Sequence, residues 1–121
     1  MFRSTVVALF ITLFACALSA FAGTIEKRNS GRGTFFEVGL GACGNTNTDS
    51  DLIVALAAAD YANGSHCGQQ ITITANGKTA TATVEDKCPG CSSGDLDMSP
   101  SLFQTFAAES VGVVQVTWSF S

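Results

Sequence analysis

Polar and apolar residues alternate most strictly in three stretches of this chain. Residues 69–74 and 78–84, Gln-Gln-Ile-Thr-Ile-Thr and Lys-Thr-Ala-Thr-Ala-Thr-Val, put threonines on one face and isoleucines, or alanines with Val84, on the other. Asn76-Gly77 between them predicts a β-hairpin, because both residues accept the positive φ of a turn whose twist matches its strands. Residues 114–120 alternate again, with Val114, Val116, Trp118 and Phe120 on one side, which predicts a last strand carrying Trp118 in the core, the alternative being a tryptophan near the chain end that stacks on sugars. A run of β-formers at residues 34–38 predicts the first strand, behind a polar, glycine-punctuated lead-in over residues 29–33.

The remaining pattern is less regular. Residues 52–57 are apolar without interruption, which fits either a buried strand or the start of a helix. Alanines as far as Ala62 let the run turn helical, and Asn63-Gly64 stops it. Ser99-Pro100 predicts a helix start, a side-chain cap followed by proline at the first helical position. Leu102, Phe103 and Phe106 then supply its apolar face. Gly39, Gly41 and Gly44 mark a tight turn or a close backbone approach. Residues 45–51 read as a polar loop, either a binding surface or a solvated connection. Together these elements predict an all-β domain of about six short strands with one or two short helices, its sheet edges protected by closure into a barrel.

Composition changes the picture at the ends. Arg3, the apolar run from Val6 to Leu18 and the small residues Ala20 and Ala22 predict a secretory signal over residues 1–22. That run is shorter than the roughly 20 residues a membrane span needs. Residues 23–28 end in Lys27-Arg28, a dibasic pair of the kind that processing proteases cut, so the segment is expected to be a propeptide. The expected mature domain is then residues 29–121, enough for one small domain. It holds three cations, Arg32, Lys78 and Lys87, against nine acids, a net charge of −6. Such a surface disfavours nucleic acid and anionic lipid as partners. The expected location is extracellular, with no membrane contact after cleavage, and the expected state is a monomer. Asn63-Gly64-Ser65 matches the glycosylation sequon, which makes Asn63 a candidate glycan acceptor.

Four cysteines remain in the mature domain: Cys43, Cys67, Cys88 and Cys91. An even count in a short secreted chain points to two disulfides. The Cys88-x-x-Cys91 spacing also suits zinc, with Cys43, Cys67 and His66 to complete a tetrahedron, or thiol exchange. An oxidising compartment and the want of a second C-x-x-C favour disulfides, so no metal or other cofactor is expected.

Chemistry concentrates in residues 84–100, where Asp86, Asp95 and Asp97 accompany a Cys-Pro-Gly-Cys turn and the helix start. Asp86 and Asp97 are the candidate acid–base pair, since glycoside cleavage needs two carboxyls flanking one bond. They converge only if the intervening loop folds back, and Asp95 reads as a brace for that loop. The order Gly41-Ala42-Cys43-Gly44, Cys67-Gly68, Val84-x-Asp86 and Asp95-Leu96-Asp97-Met98-Ser99 resembles the rare lipoprotein A-like double-psi β-barrel superfamily, which includes expansin first domains and barwin-like proteins. The likeness runs over nearly all of residues 33–120 and is greatest to small secreted single-domain fungal members.

The resemblance implies a six-stranded double-psi β-barrel with Cys43–Cys67 and Cys88–Cys91 bridges. It also implies that Thr34, Asp86 and Asp97 line a polysaccharide groove, Asp97 standing where expansin-like barrels keep an essential aspartate. Asp86 matches an aspartate implicated in the superfamily's lytic transglycosylases. The sequence departs from the pattern at Cys88, where expansins place an aromatic residue, and at Asp60, which stands where the transglycosylases carry histidine. A second, carbohydrate-binding domain is not expected.

These departures weigh toward non-hydrolytic binding of cell-wall polysaccharide. Two alternatives stay open. One is inhibition of a secreted cysteine protease through exposed loops such as residues 45–51, as some small relatives of this fold do. The other is weak glycan cleavage with Asp97 as general acid, partnered by Asp86.

Overall fold

The computed structural model describes residues 27–121. The expected signal over residues 1–22, with Cys16, and most of the 23–28 segment lie outside the described residues; Lys27 and Arg28 are both exposed, just ahead of the first strand. Six strands follow: β1 Asn29–Phe35, β2 Ile53–Ala57, β3 Gln70–Ala75, β4 Lys78–Cys88, β5 Leu96–Met98 and β6 Val114–Phe120. Helix α1, Ala58–Tyr61, continues directly from β2, and α2, Pro100–Phe106, follows β5. Two short 3-10 turns occupy Ala62–Gly64 and Glu109–Val111.

The strands close into a barrel in the order β1-β5-β2-β4-β3-β6. Closure leaves no free sheet edge among the described residues. Two pairs are parallel, β1 with β5 and β2 with β4, and the other four are antiparallel. The interior is filled by Val54, Leu56, Ile71, Ile73, Val84, Leu96, Met98, Val116 and Trp118. Leu102, Phe103 and Phe106 of α2 join that core, and Phe103 packs on Phe35 with ring centroids 4.9 Å apart.

The hairpin forms as its pattern predicts, with Asn76 at φ 50° and Gly77 at φ 73°. Ser99 caps α2 by accepting a hydrogen bond from the Leu102 N–H. The ambiguous run becomes both of its options in turn, strand over Ile53–Ala57 and helix over Ala58–Tyr61. All five residues of β2 are buried because both faces of that strand are covered. No alternation could therefore have marked it.

The first strand is not where the β-formers alone place it. It covers Asn29–Phe35, so the glycine-rich lead-in is the strand and residues 36–38 are not. The cause is packing. A Cβ at Gly33 would lie 2.6 Å from Met98 Cε, and one at Gly31 would lie 2.5 Å from the Gly94 carbonyl carbon. These glycines mark close approach rather than a break.

Candidate functional site

Four residues line up across four neighbouring strands. Thr34 of β1 pairs with Asp97 of β5, Asp97 pairs with Ala55 of β2, and Ala55 pairs with Asp86 of β4. Leu96 and Met98 face the core, so period-2 alternation turns Asp97 outward between them. Val54 and Leu56 likewise leave Ala55 outside. The row is therefore a polar strip on the outer wall of the barrel, with a small side chain between the two acids. Two strand spacings separate the Asp97 and Asp86 backbones, roughly 10 Å.

Asp86 reaches this face only because β4 carries a bulge. Val54 pairs with Val84 and Ala55 with Asp86, so Glu85 is an extra residue in the ladder. Without it, alternation after the buried Val84 would send Asp86 inward. Glu85 has one signal in the sequence, two consecutive acids that break an otherwise strict alternation.

The two aspartates are held differently. Asp97 is half-buried, and its Oδ1 accepts a hydrogen bond of 2.9 Å from the Thr34 hydroxyl. Burial pushes its carboxyl above the usual aspartate value; the Thr34 hydrogen bond opposes the shift and the Asp86 charge adds to it. Asp86 Oδ1 accepts from the Ala42 N–H and from the Lys87 N–H, both at 2.8 Å. Asp86 thus fastens the loop of residues 39–47 to the barrel wall.

Asp95 and Asp60 serve the chain itself. Asp95 accepts from the backbone N–H groups of Arg32 and Ser92, and Asp60 from the Ser93 hydroxyl and the Gly94 N–H. Both brace the 92–95 turn, and Trp118 Nε1 donates to the Gly94 carbonyl at 2.8 Å. That bond, with Trp118 buried, places the tryptophan in the core rather than under a sugar.

The cysteines are paired as Cys43–Cys67 and Cys88–Cys91. The zinc and thiol-exchange alternatives need thiolates that these bonds consume. Among the described residues no cluster of three or more metal-ligating side chains occurs. His66 stacks on Phe120 at 4.3 Å and bonds Gln69, away from the aspartate row. The Tyr61 hydroxyl lies 3.4 Å from Cys67 Sγ and 3.9 Å from Cys43 Sγ, so the first bridge has a buried polar partner. Asn63 is exposed at φ 56°, its side chain on the surface.

One surface feature had no signal in the sequence. Leu40 is 74% exposed on a loop that is fixed at several points. Leu40 bridges Thr46, Cys43 is disulfide-bonded, Ala42 is held by Asp86, and Gly41 sits so close to the Glu85 carbonyl that no side chain would fit there.

No protein-family model matches the chain. Among curated proteins it is similar to allergen Asp f 7 of Aspergillus fumigatus, 38% identical over 114 residues, which is 87% of this chain and 42% of that protein. A homolog of that allergen from Arthroderma benhamiae is 45% identical over 80 residues, 61% of this chain and 27% of the homolog. The chain therefore spans less than half the length of these two relatives. A papain inhibitor from Streptomyces mobaraensis is 34% identical over 105 residues, covering 79% of this chain and 73% of the inhibitor. Among solved structures, a Streptomyces papain inhibitor superposes with a TM-score of 0.71 at 31% identity, over 80% of this chain and 96% of the inhibitor. An expansin of Clavibacter michiganensis in complex with cellohexaose superposes with a TM-score of 0.73 over 78% of this chain and 50% of the expansin; at 22% identity it speaks to the fold.

Proposed function

The chain belongs to the double-psi β-barrel superfamily of rare lipoprotein A-like and barwin-like proteins, and from that premise we propose that it is a secreted, non-hydrolytic module that binds cell-wall polysaccharide along the Thr34–Asp97–Asp86 row. The observation that supports this reading most is the row itself. Three polar side chains from sequence positions up to 63 apart fall in one line on the outer wall, with Ala55 leaving the floor between them low. Sugar hydroxyls donate to carboxylates and to the oxygen of the Thr34 hydroxyl, whose own proton goes to Asp97, and an extended neutral glycan fits a strip of such acceptors.

Asp86 weighs against cleavage. A general base needs a carboxylate oxygen free to take a proton from water, and Asp86 has only Oδ2 left for that, since Oδ1 is engaged by two backbone N–H groups. The two disulfides fit the oxidising setting of a secreted protein. Binding through hydroxyl contacts requires no cofactor.

The test is a pull-down on insoluble cellulose, chitin and peptidoglycan with wild type and Asp97→Ala side by side, the supernatant being assayed for released sugar. Binding that the substitution removes, with no sugar released, is the expected result. Release that depends on Asp97 would make the protein an enzyme, and failure to bind all three polymers would end the groove reading.

A second reading, inhibition of a papain-like protease, draws on a separate surface. Leu40 stands exposed on a loop pinned by a disulfide and by Asp86, and a preorganised loop loses little entropy when a protease cleft closes on it. The relative matched over 73% of its own length is a papain inhibitor. Under this reading, inhibition of papain survives Asp97→Ala and is lost in Leu40→Asp. Inhibition that ignores Leu40→Asp would remove the loop from the interface.

A further inference from the structure

The dibasic pair Lys27-Arg28 stands directly against the first strand, and neither reading above uses that placement. β1 begins at Asn29, the residue that follows the Arg28–Asn29 bond. Asn29 pairs with Trp118, Ser30 with Thr117 and Gly31 with Val116, so β6 covers one edge of this segment. The 92–95 turn covers the other edge. No side chain would fit at Gly94 beneath the Ser30 carbonyl, none would fit at Gly31 against the Gly94 carbonyl, and the Arg32 N–H donates to Asp95 Oδ1 at 2.9 Å. The residues ahead of the bond also lie along the barrel wall. Arg28 lines a cavity of about 210 Å³ with Thr72 and Ser119, and Lys27 lines one of about 230 Å³ with Asp60 and His66.

An endoprotease holds its substrate as an extended segment, through main-chain hydrogen bonds on both sides of the bond it cuts. From Asn29 onward the main chain is already engaged by the barrel. Cutting therefore requires β1 to peel away from β6 and from the turn, and its rate follows the population of that opened form. The exposed Lys27 and Arg28 side chains satisfy recognition, but the residues after the bond stay out of reach. Chain order sets when this lock forms. The partners of β1 are β5 and β6, the last two strands to be synthesised. The Arg28–Asn29 bond is open while the chain is made and until those distant strands pair, and contacts of such long sequence separation form slowly.

We propose that closure of the barrel locks this processing site. A dibasic-specific endoprotease of the secretory route hydrolyses the Arg28–Asn29 bond before β1 docks, water supplying the new Arg28 carboxylate and Asn29 amine, and is shut out afterwards. The proposal takes from the reading above only that the chain is secreted; the Thr34–Asp97–Asp86 row plays no part in it. A chain that folds uncut then persists as a distinct form, with residues 23–28 still attached.

The test uses the full chain expressed in a fungal host that lacks its dibasic-specific endoprotease, so that protein from the medium keeps residues 23–28. The folded protein is incubated with that protease in purified form, beside a synthetic peptide of residues 23–34, and release of residues 23–28 is followed by mass spectrometry. The folded protein should be cut at least about tenfold more slowly than the peptide. Gly31→Ala, which opens the crossing against β1, should be cut about fivefold faster than wild type, and Gly39→Ala, with open space at its Cβ, at the wild-type rate. Folded wild type cut as fast as the peptide would overturn the proposal, and so would resistance that Gly31→Ala leaves unchanged. A peptide left uncut would overturn it on different grounds, by showing that Lys27-Arg28 is no processing site to lock.

Discussion

Replacing Gly31 by alanine tests the tightest crossing in the barrel, where the 92–95 turn passes against β1. A Cβ at Gly31 would lie 2.5 Å from both the carbonyl carbon and the oxygen of Gly94 and 2.6 Å from the Asp95 nitrogen. All three are backbone atoms, and the turn is held by Asp60, Asp95 and Trp118, so it cannot step aside one atom at a time. To reach ordinary contact at 3.4 Å the crossing must open by 0.9 Å. Overpacking of that kind costs about 1–3 kcal/mol, and the lower entropy of an unfolded alanine chain returns about 0.4–1 kcal/mol. The net loss is about 1–2 kcal/mol, which lowers Tm by roughly 5–15 °C in a domain of this size. Gly39→Ala is the control: nothing lies within 4 Å of its Cβ. β5 pairs with β1 directly beyond the crossing, so opening it also stretches the Thr34–Asp97 contact. Urea unfolding reads the first effect and the NMR shifts of Thr34 and Asp97 read the second. A Gly31→Ala protein as stable as Gly39→Ala, with those shifts unmoved, would refute the crossing as the element that positions Asp97.

Asp97→Asn should change stability in a pH-dependent way. Burial raises the folded-state pKa of Asp97 above 3.8, so its charge opposes folding at neutral pH and that penalty is lifted as pH falls through the raised value toward 3.8. The wild type should therefore gain on Asp97→Asn as the solution is acidified, measured by urea midpoints at neutral and mildly acid pH; a gap that moves the other way would contradict burial as the dominant cause. Loss of the Cys43–Cys67 bridge, which spans a sequence separation of 24, should cost about 3.5 kcal/mol by loop-closure entropy. The Cys88–Cys91 bridge, at a separation of 3, should cost about 2 kcal/mol, so unfolding midpoints of the two double Cys→Ser variants should differ in that order. When the full chain is expressed in a fungal host, protein in the medium should begin at Asn29 on N-terminal sequencing, and glycosidase treatment should remove a mass that Asn63→Gln also lacks; material only in the cell pellet, or a start at Gly23, would contradict the proposed processing.

Much of the barrel was legible because its evidence is local. The hairpin, the Ser99 cap and the Trp118 strand each declare themselves within one short contiguous stretch, through turn chemistry or alternation. What sequence could not supply was pairing between distant segments. β5 has three residues, too few for a period to show, and exists because β1 and β2 flank it. Gly31 and Gly33 read as breaks because the atoms that exclude a side chain there belong to residues 94–98 and 114–116. The aspartates of residues 84–100 were visible as chemistry, but their division of labour was not. Asp95 braces a turn and Asp86 a loop, while Asp97 is held by Thr34, and only the fold makes these partners neighbours.

The bulge at Glu85 explains how so short a strand wall presents two different surfaces. Strict alternation would allow one acid after Val84 to face outward and would drive the next into an apolar interior, where a lone carboxylate is not tolerated. One extra residue lets both stay outside: Glu85 beside Thr83 in the cavity under residues 45–52, Asp86 beside Ala55 in the row that ends at Thr34. The same residue anchors the Leu40 loop, since the Glu85 carbonyl accepts from the Cys43 N–H. Row, cavity and loop therefore share a backbone origin while using different side chains. Substitutions that spare the backbone, Asp97→Ala and Leu40→Asp, should each silence one surface and leave the other working. A change that removes the bulge should disturb both at once.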